Sequence, residues 1–169
     1  MIRPILKFGE ARLQVRAAEV GELTADIQKL IDDMIETMYA APGIGLAAPQ
    51  IGVSLRIFVV DLSLGHAPAD LMVFVNPEFV ELEGMQLEEE GCLSVPGFNA
   101  TVARPLRAVV RGLDREGTLR TVEGKELLAR AFQHEMDHLD GKLFLDRVRG
   151  IKRDLIVKKI RKLARAGKW

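Results

Sequence analysis

The chain has 169 residues, with 24 lysines and arginines, 24 aspartates and glutamates, and a formal net charge of zero at pH 7. This length is typical of one domain, and 48% hydrophobic with 28% charged residues excludes an intrinsically disordered chain. The single cysteine excludes an intramolecular disulfide and is typical of a reducing compartment. Residues 1–8 have no apolar run of the kind found in secretory signals, so none is expected, and no stretch approaches the roughly 18 apolar residues of a membrane-spanning helix. We therefore expect residues 1–169 to form one cytoplasmic domain with no membrane contact. Nothing in the sequence implies a stable oligomer.

The first predicted element is a helix. Thr24 has the residue type of an N-cap, and apolar residues then recur at spacings of three and four: Ile27, Leu30, Ile31, Met34, Ile35 and Met38. This spacing predicts a helix with one apolar face, which Pro42 and Gly43 end.

The middle of the chain has the pattern of strands. Four short segments are rich in Val, Ile, Leu and Phe and are flanked by turn residues: 55–61, 71–76, 79–82 and 106–113. Such segments predict β-strands. Residues 114–117 (Asp-Arg-Glu-Gly) predict a turn that joins the last of them to a strand at 118–122.

Two further helices are predicted after the strands. The first begins near Leu127 and ends at a C-cap signal, Asp140-Gly141. The second covers 151–163, with Ile151, Leu155, Ile156, Ile160 and Leu163 on one side. One helix, several strands and two helices predict an α+β fold with largely antiparallel pairing.

The strongest local pattern is an H-E-x-x-H sequence on the second predicted helix, formed by His134, Glu135 and His138. Residues four apart lie on one helix face, so the two imidazoles can bind one metal ion. Glu135 directly follows the first histidine and can serve as a general base for a water molecule. The alternative is a solvated helix face that carries two histidines.

A catalytic metal site needs a third protein ligand. No His or Glu follows His138, so an upstream ligand is expected, and Cys92 is the candidate because its thiolate suits Zn(II) or Fe(II). Cys92 lies between Gly91 and Leu93-Ser94 in a segment expected to be a shaped loop. One alternative is a small buried hydrophobe, and another is a nucleophile that uses a histidine as its base.

A third segment follows the first helix at residues 43–50, Gly-Ile-Gly-Leu-Ala-Ala-Pro-Gln. Its glycines allow close backbone approach to a ligand, and Gln50 offers an uncharged N–H donor. It lacks the Lys and Ser/Thr of a phosphate-binding loop. The alternative is a turn of small residues packed under the sheet.

Together these segments resemble the peptide deformylases, enzymes that remove the N-formyl group from newly made bacterial and organellar polypeptides. The family signatures G-x-G-L-A-A-x-Q, E-G-C-L-S and Q-H-E-x-D-H-L-x-G occur without a mismatch at residues 43–50, 90–94 and 133–141. The resemblance implies mostly antiparallel strands around a central H-E-x-x-H helix. It also implies metal binding by Cys92, His134 and His138, with Glu135 and Gln50 in catalysis.

The same resemblance implies Fe(II) in the cell, and Zn(II) or Ni(II) can replace it in purified protein because Fe(II) binds more weakly at a given site. We expect Glu135 to take a proton from water, while Gln50 and the Leu93 N–H hold the oxygen that becomes negative. Many relatives also have a substrate-facing arginine after the second motif. Residues 97–100 contain none, although Arg104 follows.

The expected substrate is a formyl-methionyl peptide. Gly45 and Gly91 keep the walls of the site low enough for an extended chain to pass. Ile44, Leu127 and Ala131 are expected to line the apolar pocket for methionine. A general H-E-x-x-H metallopeptidase and a non-catalytic metal or ribosome-binding domain are the alternatives.

The end of the chain is basic. Residues 147–169 contain ten lysines and arginines and one acid, whereas residues 78–90 contain six acids and no base. A basic helix at about 151–165 is commonly a solvated face. Because the inferred substrate leaves a phosphate-rich ribosome, we expect weak, salt-dependent ribosome binding that is lost when residues 151–169 are removed.

Overall fold

The computed structural model describes all residues from 1 to 169. The helices are α1 (Ala25–Ala40), α2 (Leu127–Leu139) and α3 (Ile151–Arg165), and short 3₁₀ segments cover Ala11–Gln14, Ala48–Ile51, Pro68–Asp70 and Phe144–Arg147. The strands are β1 (Gly45–Ala47), β2 (Ile57–Val60), β3 (Met72–Glu83), β4 (Gln86–Cys92), β5 (Val95–Arg104), β6 (Arg107–Leu113) and β7 (Leu119–Lys125). This confirms the predicted α+β class.

All named strand pairs are antiparallel. One sheet has the order β1-β2-β3-β6-β7, and β4 pairs with β5 in a separate two-stranded sheet. The predicted hairpin is formed by β6 and β7, in register from Leu113 opposite Leu119.

The large sheet is covered on both faces by helices. The four residues of β2 are all buried, because alternate side chains point to opposite faces of the sheet and both faces are covered. Ile57 and Val59 pack in a cluster with α1, whereas Phe58 and Val60 pack in a cluster with α2. A third apolar cluster joins the β4–β5 sheet to Phe144 and α3. Arg130 of α2 donates to Glu90 of β4 and to the Val102 carbonyl of β5, so helix α2 lies between the large sheet and the β4–β5 hairpin.

The helix ends follow the predicted signals. The Thr24 side chain accepts a hydrogen bond from the Ile27 N–H at the start of α1. After α2, Gly141 has a φ of +76°, and a Cβ at this position would lie 2.7 Å from the Gln14 carbonyl oxygen. Both the left-handed backbone and the close packing require glycine here.

The strands differ from the sequence-based expectations at three places. The predicted strands 71–76 and 79–82 are one strand, β3, in which the register shifts on both sides of Glu78. Asn76 has a positive φ there, and the gap between the two predicted segments is a bulge within one strand. Residues 45–47, for which a turn of small residues was the alternative, form strand β1. The β4–β5 hairpin was not predicted.

The β4–β5 hairpin changes the setting of Cys92. The cysteine is the last residue of β4, and only Leu93 and Ser94 separate it from β5. The expected shaped loop is therefore a two-residue connection. Strand β4 was missed because its sequence, Gln-Leu-Glu-Glu-Glu-Gly-Cys, has few of the apolar and β-branched residues that indicate strands.

The docking face of α3 also differs from the prediction. Ile156 and Ile160 are buried as expected and Val157 is buried as well, but Ile151 and Leu155 are exposed. The helix contacts the body mainly through its middle turn. No helix of the structure is both long enough and apolar enough to cross a membrane.

Candidate active site

Three metal-ligating atoms converge between β4 and α2. The Sγ of Cys92 lies 3.4 Å from the Nε2 of His138, which lies 3.2 Å from the Nε2 of His134. The two histidines are one helical turn apart on α2, and Cys92 reaches them from the end of β4. The structure thus brings together the three residues predicted as ligands, in a group that could hold a metal ion.

The spacing of these atoms fits a four-coordinate ion. Bond lengths of about 2.05 Å to nitrogen and 2.3 Å to sulfur separate tetrahedral ligand atoms by about 3.4 Å (N to N) and 3.6 Å (N to S). The observed 3.2 and 3.4 Å are close to these values. Three protein ligands leave one position for another group, the arrangement of a catalytic rather than a structural site.

The pKa values of the two histidines differ in direction. Burial would lower the pKa of His134, but the neighbouring Cys92 and Glu90 outweigh it and raise that pKa well above its usual value. Burial and the nearby His134 lower the pKa of His138 well below its usual value. The opposite directions reflect the short distance between the two rings, which disfavours a positive charge on both at once.

Glu90 is a site residue that sequence reasoning missed. Its Oε2 accepts a hydrogen bond from the Nδ1 of His134 at 2.7 Å. Such a carboxylate fixes the orientation and tautomer of a metal-binding histidine. The signal was present: Glu90 stands two residues before Cys92, so both side chains point to the same face of β4.

Glu135 is buried beside the three ligand atoms, and its Oε2 has no hydrogen-bond partner in the protein. Burial raises the pKa of this carboxyl group to about 7. A pKa close to neutrality suits a general base or acid. This unpartnered buried carboxylate oxygen, next to a three-ligand cluster, can accept a hydrogen bond from a group that enters the cavity.

The side chain of Gln50 also lies beside Cys92. The Ala47 N–H donates to its Oε1 at 2.9 Å, so the amide is fixed with its Nε2 towards the hairpin. That nitrogen donates to the Ser94 Oγ at 3.1 Å and lies 3.8 Å from the Cys92 Sγ. The Gln50 side chain is therefore an oriented N–H donor at the edge of the cluster.

A cavity of about 640 Å³ opens onto these groups, within the size range of small-ligand pockets. Its lining contains all the predicted site residues except the deeply buried His138: Ile44, Gly45, Gln50, Gly91, Cys92, Leu93, Leu127, Ala131, His134 and Glu135. Arg104 is not in this lining, because it is buried in ion pairs with Glu90 and Asp137. One arginine, Arg130, does line the cavity, but it is buried and donates to Gln86, to Glu90 and to the Val102 carbonyl.

Gly45 faces the catalytic glutamate candidate. A Cβ on Gly45 would lie 2.6 Å from the Oε1 of Glu135 and 3.1 Å from its Cδ. A Cβ on Gly91 would lie 2.4 Å from the Asn99 Oδ1. Both positions therefore need glycine for close approach, and Gly45 in particular leaves room for the Glu135 carboxyl group.

We expect Gly45→Ala to lower kcat by about tenfold or more, because the added methyl group displaces the Glu135 carboxylate from its buried position. Gly21→Ala is the matched control, since a Cβ at Gly21 meets nothing within 4 Å. Steady-state kinetics of the two variants test this. A Gly45→Ala protein with the kcat of Gly21→Ala would contradict the assigned contact.

An α+β fold in which an H-E-x-x-H helix and a cysteine from a neighbouring hairpin surround a small cavity defines a class of metal-dependent hydrolases. Comparison with known proteins gives the family. Residues 2–154 match the family model described as polypeptide deformylase. The chain belongs to this family, whose enzymes remove the N-formyl group from newly made peptides and depend on a metal ion.

Individual peptide deformylases are similar to this chain over almost its full length. The chain is 50% identical to the peptide deformylase of Acidobacterium capsulatum, covering 100% of this chain and 99% of the relative. It is 52% identical to that of Xylella fastidiosa strain M12, covering 96% of each. A crystal structure of a peptide deformylase from Legionella pneumophila superposes with a TM-score of 0.92 at 45% identity, covering 99% of this chain and 98% of that one.

Several solved relatives were determined with a bound ligand. The peptide deformylase of Synechococcus elongatus, in complex with actinonin, matches with a TM-score of 0.89 at 36% identity, covering 95% of this chain and 90% of that one. The predicted fold class, enzyme class and family are confirmed.

Proposed function

We propose that this chain releases formate from the formyl-methionine at the start of new polypeptides, using one divalent ion held by Cys92, His134 and His138. The observation that carries the proposal is the convergence of these three ligand atoms beside the unpartnered Oε2 of Glu135. Fe(II) is the ion proposed for the cell, and Zn(II) or Ni(II) can replace it in purified protein because both bind more tightly at a given site. When bound, the ion supplies a Lewis acid for the formyl group and lowers the pKa of water.

Glu135 is proposed to move the proton. Its buried carboxylate accepts a proton from the attacking water and returns it to the amine that leaves as the C–N bond breaks. The products are formate and a free amino terminus. The raised pKa of Glu135, about 7, supports both halves of this transfer, because the group gives up and takes a proton near neutral pH.

Two N–H donors are proposed to hold the formyl oxygen as it becomes negative: the Nε2 of Gln50 and the backbone N–H of Leu93. Gln50 is oriented for this by the Ala47 N–H, and Leu93 directly follows Cys92. One donor of this kind contributes about 3–4 kcal/mol to the stability of the transition state in other hydrolases.

The methionine side chain is proposed to lie against Ile44, Leu127 and Ala131. All three residues line the cavity that holds Glu135, and Leu127 is half exposed at its mouth. Gly45 and Gly91, whose missing side chains keep the cavity open, are proposed to border the peptide backbone.

Formate release separates this function from that of a general metallopeptidase. A formyl-Met-Ala-Ser peptide and the same peptide without the formyl group are incubated with the protein, and both formate and free amines are measured. We expect formate from the first peptide and no reaction with the second. Cleavage of a peptide bond in the unformylated peptide would support the metallopeptidase instead.

We also propose that residues 1–169 form one catalytic domain that works in the cytoplasm and contacts the ribosome weakly through α3. Lys152, Lys158, Lys159 and Lys162 are exposed on this helix, and their charges favour a phosphate-rich surface. Removal of residues 151–169 would also uncover the apolar residues under Ile156 and Ile160. Charge reversal on the outer face is therefore a sharper test than truncation.

The test is sedimentation of the protein with ribosomes at low and high salt. We expect Lys158→Glu/Lys159→Glu to lower binding at low salt by about threefold or more, since fewer counterions are released, while hydrolysis of free formyl-peptides is unchanged. Arg120→Glu/Lys125→Glu, a double reversal at exposed positions of β7, is the matched control. An equal loss in both variants would refute a contact through α3.

A further inference from the structure

A chain of buried ion pairs, the His134–Arg147 chain, runs from the candidate metal site to the surface through Glu90, Arg104 and Asp137. Glu90 accepts from His134 at 2.7 Å and from both Nε and Nη2 of Arg104 at 2.8 and 2.6 Å. The Nη1 of Arg104 donates to the Oδ2 of Asp137 at 3.0 Å. Glu90, Arg104 and Asp137 are each at least 93% buried.

Arg147 forms the outer end of this chain. It lies in the 3₁₀ segment after α2 and donates to both carboxylate oxygens of Asp137, through Nε at 2.6 Å and Nη2 at 2.7 Å. Its own side chain is 43% exposed. Arg147 is therefore a surface residue joined through side-chain hydrogen bonds to an imidazole that faces the cavity.

Arg104 makes the two ends of the His134–Arg147 chain dependent on each other. Arg104 is divided between two carboxylates, Glu90 and Asp137. Without Arg147, Asp137 keeps its ion pair with Arg104 but its Oδ1 has no side-chain donor, and a buried carboxylate oxygen without a donor is unfavourable. Asp137 would then draw Arg104 away from Glu90. Glu90, which contacts His134, would keep its hydrogen bond from Arg130 but would lose part of its pairing with Arg104.

We propose that Arg147 is a positioning residue for the metal site, acting on His134 through Asp137, Arg104 and Glu90. The proposal rests on the metal-binding role of His134 given above. Loss of a carboxylate that directly contacts a metal-binding histidine lowers metal affinity by about 10- to 100-fold. Arg147 is three contacts further out, so its removal has a smaller effect, about three- to tenfold.

Arg153 offers a matched control on a neighbouring element. Its side chain is 40% exposed, and it lies near Asp146 at 3.6 Å and donates to the Leu145 carbonyl, with no contact to the His134–Arg147 chain. Arg147→Gln and Arg153→Gln therefore remove the same charge at nearly the same exposure. Only Arg147→Gln breaks the connection to Asp137.

The test uses Co(II) as the probe, added to metal-free protein. Affinity is measured by competition with a chelator, and the absorption spectrum of the bound ion reports the geometry of its ligands. We expect about three- to tenfold weaker binding and a changed spectrum for Arg147→Gln. Arg147→Lys keeps the charge but loses the paired hydrogen bonds, so its Co(II) affinity should lie between those of Arg147→Gln and the unmodified protein. Arg153→Gln should bind Co(II) as the unmodified protein does.

Three outcomes would overturn an assignment. Equal weakening in Arg147→Gln and Arg153→Gln would mean that net charge, not positioning, sets the affinity. Unchanged Co(II) affinity and spectrum in Arg147→Gln would refute the role of Arg147, even if its melting temperature falls. Failure of the unmodified protein to bind Co(II) through Cys92 would instead refute the proposed metal site.

Discussion

Cys92→Ala is expected to lose most of its bound metal and with it nearly all formate release. The variant leaves only His134 and His138, and two protein ligands do not hold a catalytic ion stably. The substitution removes only the Sγ atom of Cys92 and adds no bulk. The two-residue connection between β4 and β5 should therefore keep its fold. Metal content per chain after dialysis, measured with activity on the same sample, gives the result.

Cys92→Asp is the companion variant, because a carboxylate can replace the thiolate as a ligand, although it suits harder ions. We expect it to recover part of the metal content that Cys92→Ala loses. A Cys92→Ala protein with full metal content and full activity would contradict the ligand assignment. Circular dichroism of both variants establishes that they are folded.

Glu135→Gln is expected to keep the metal ion and to lose about 10²- to 10⁴-fold in kcat, the range for a general base. Glutamine has nearly the same shape as glutamate, so the packing against Gly45 is preserved, but its amide cannot carry the proton. Metal analysis and single-turnover formate release separate the binding of the ion from the chemical step.

Glu89→Gln is the matched control for that experiment. Glu89 lines the same cavity but is exposed and makes no ion pair, and we expect its kcat to stay within about twofold of the unmodified protein. If Glu135→Gln loses the ion together with its activity, Glu135 is a ligand or a structural group, and the proton transfer must be assigned elsewhere.

The helices were predictable because their signals are local. Thr24 at the start of α1 and Gly141 after α2 have residue types that their backbone positions require. The pair His134 and His138 was likewise readable, since one helical turn brings the two rings together whatever surrounds them.

The parts that sequence reasoning missed depend on tertiary contacts. Strand β4 carries three consecutive glutamates, and it becomes a strand because Glu90 is neutralised by Arg104 and Arg130, from β5 and α2. The pattern of the segment gives no sign of these partners. The exposure of Ile151 and Leu155 has a similar origin, because it depends on where the body of the protein ends beneath α3.

The most direct test of the proposed mechanism is a titration of metal-free protein with Fe(II) under anaerobic conditions, with formate release from formyl-Met-Ala-Ser as the readout. We expect the rate to rise in proportion to added Fe(II) and to level off at about one ion per chain. Glu135→Gln should bind the same amount of Fe(II) while its rate of formate release stays far lower. Formate release that is unchanged by the metal, or a plateau well above one ion per chain, would contradict a single site formed by Cys92, His134 and His138.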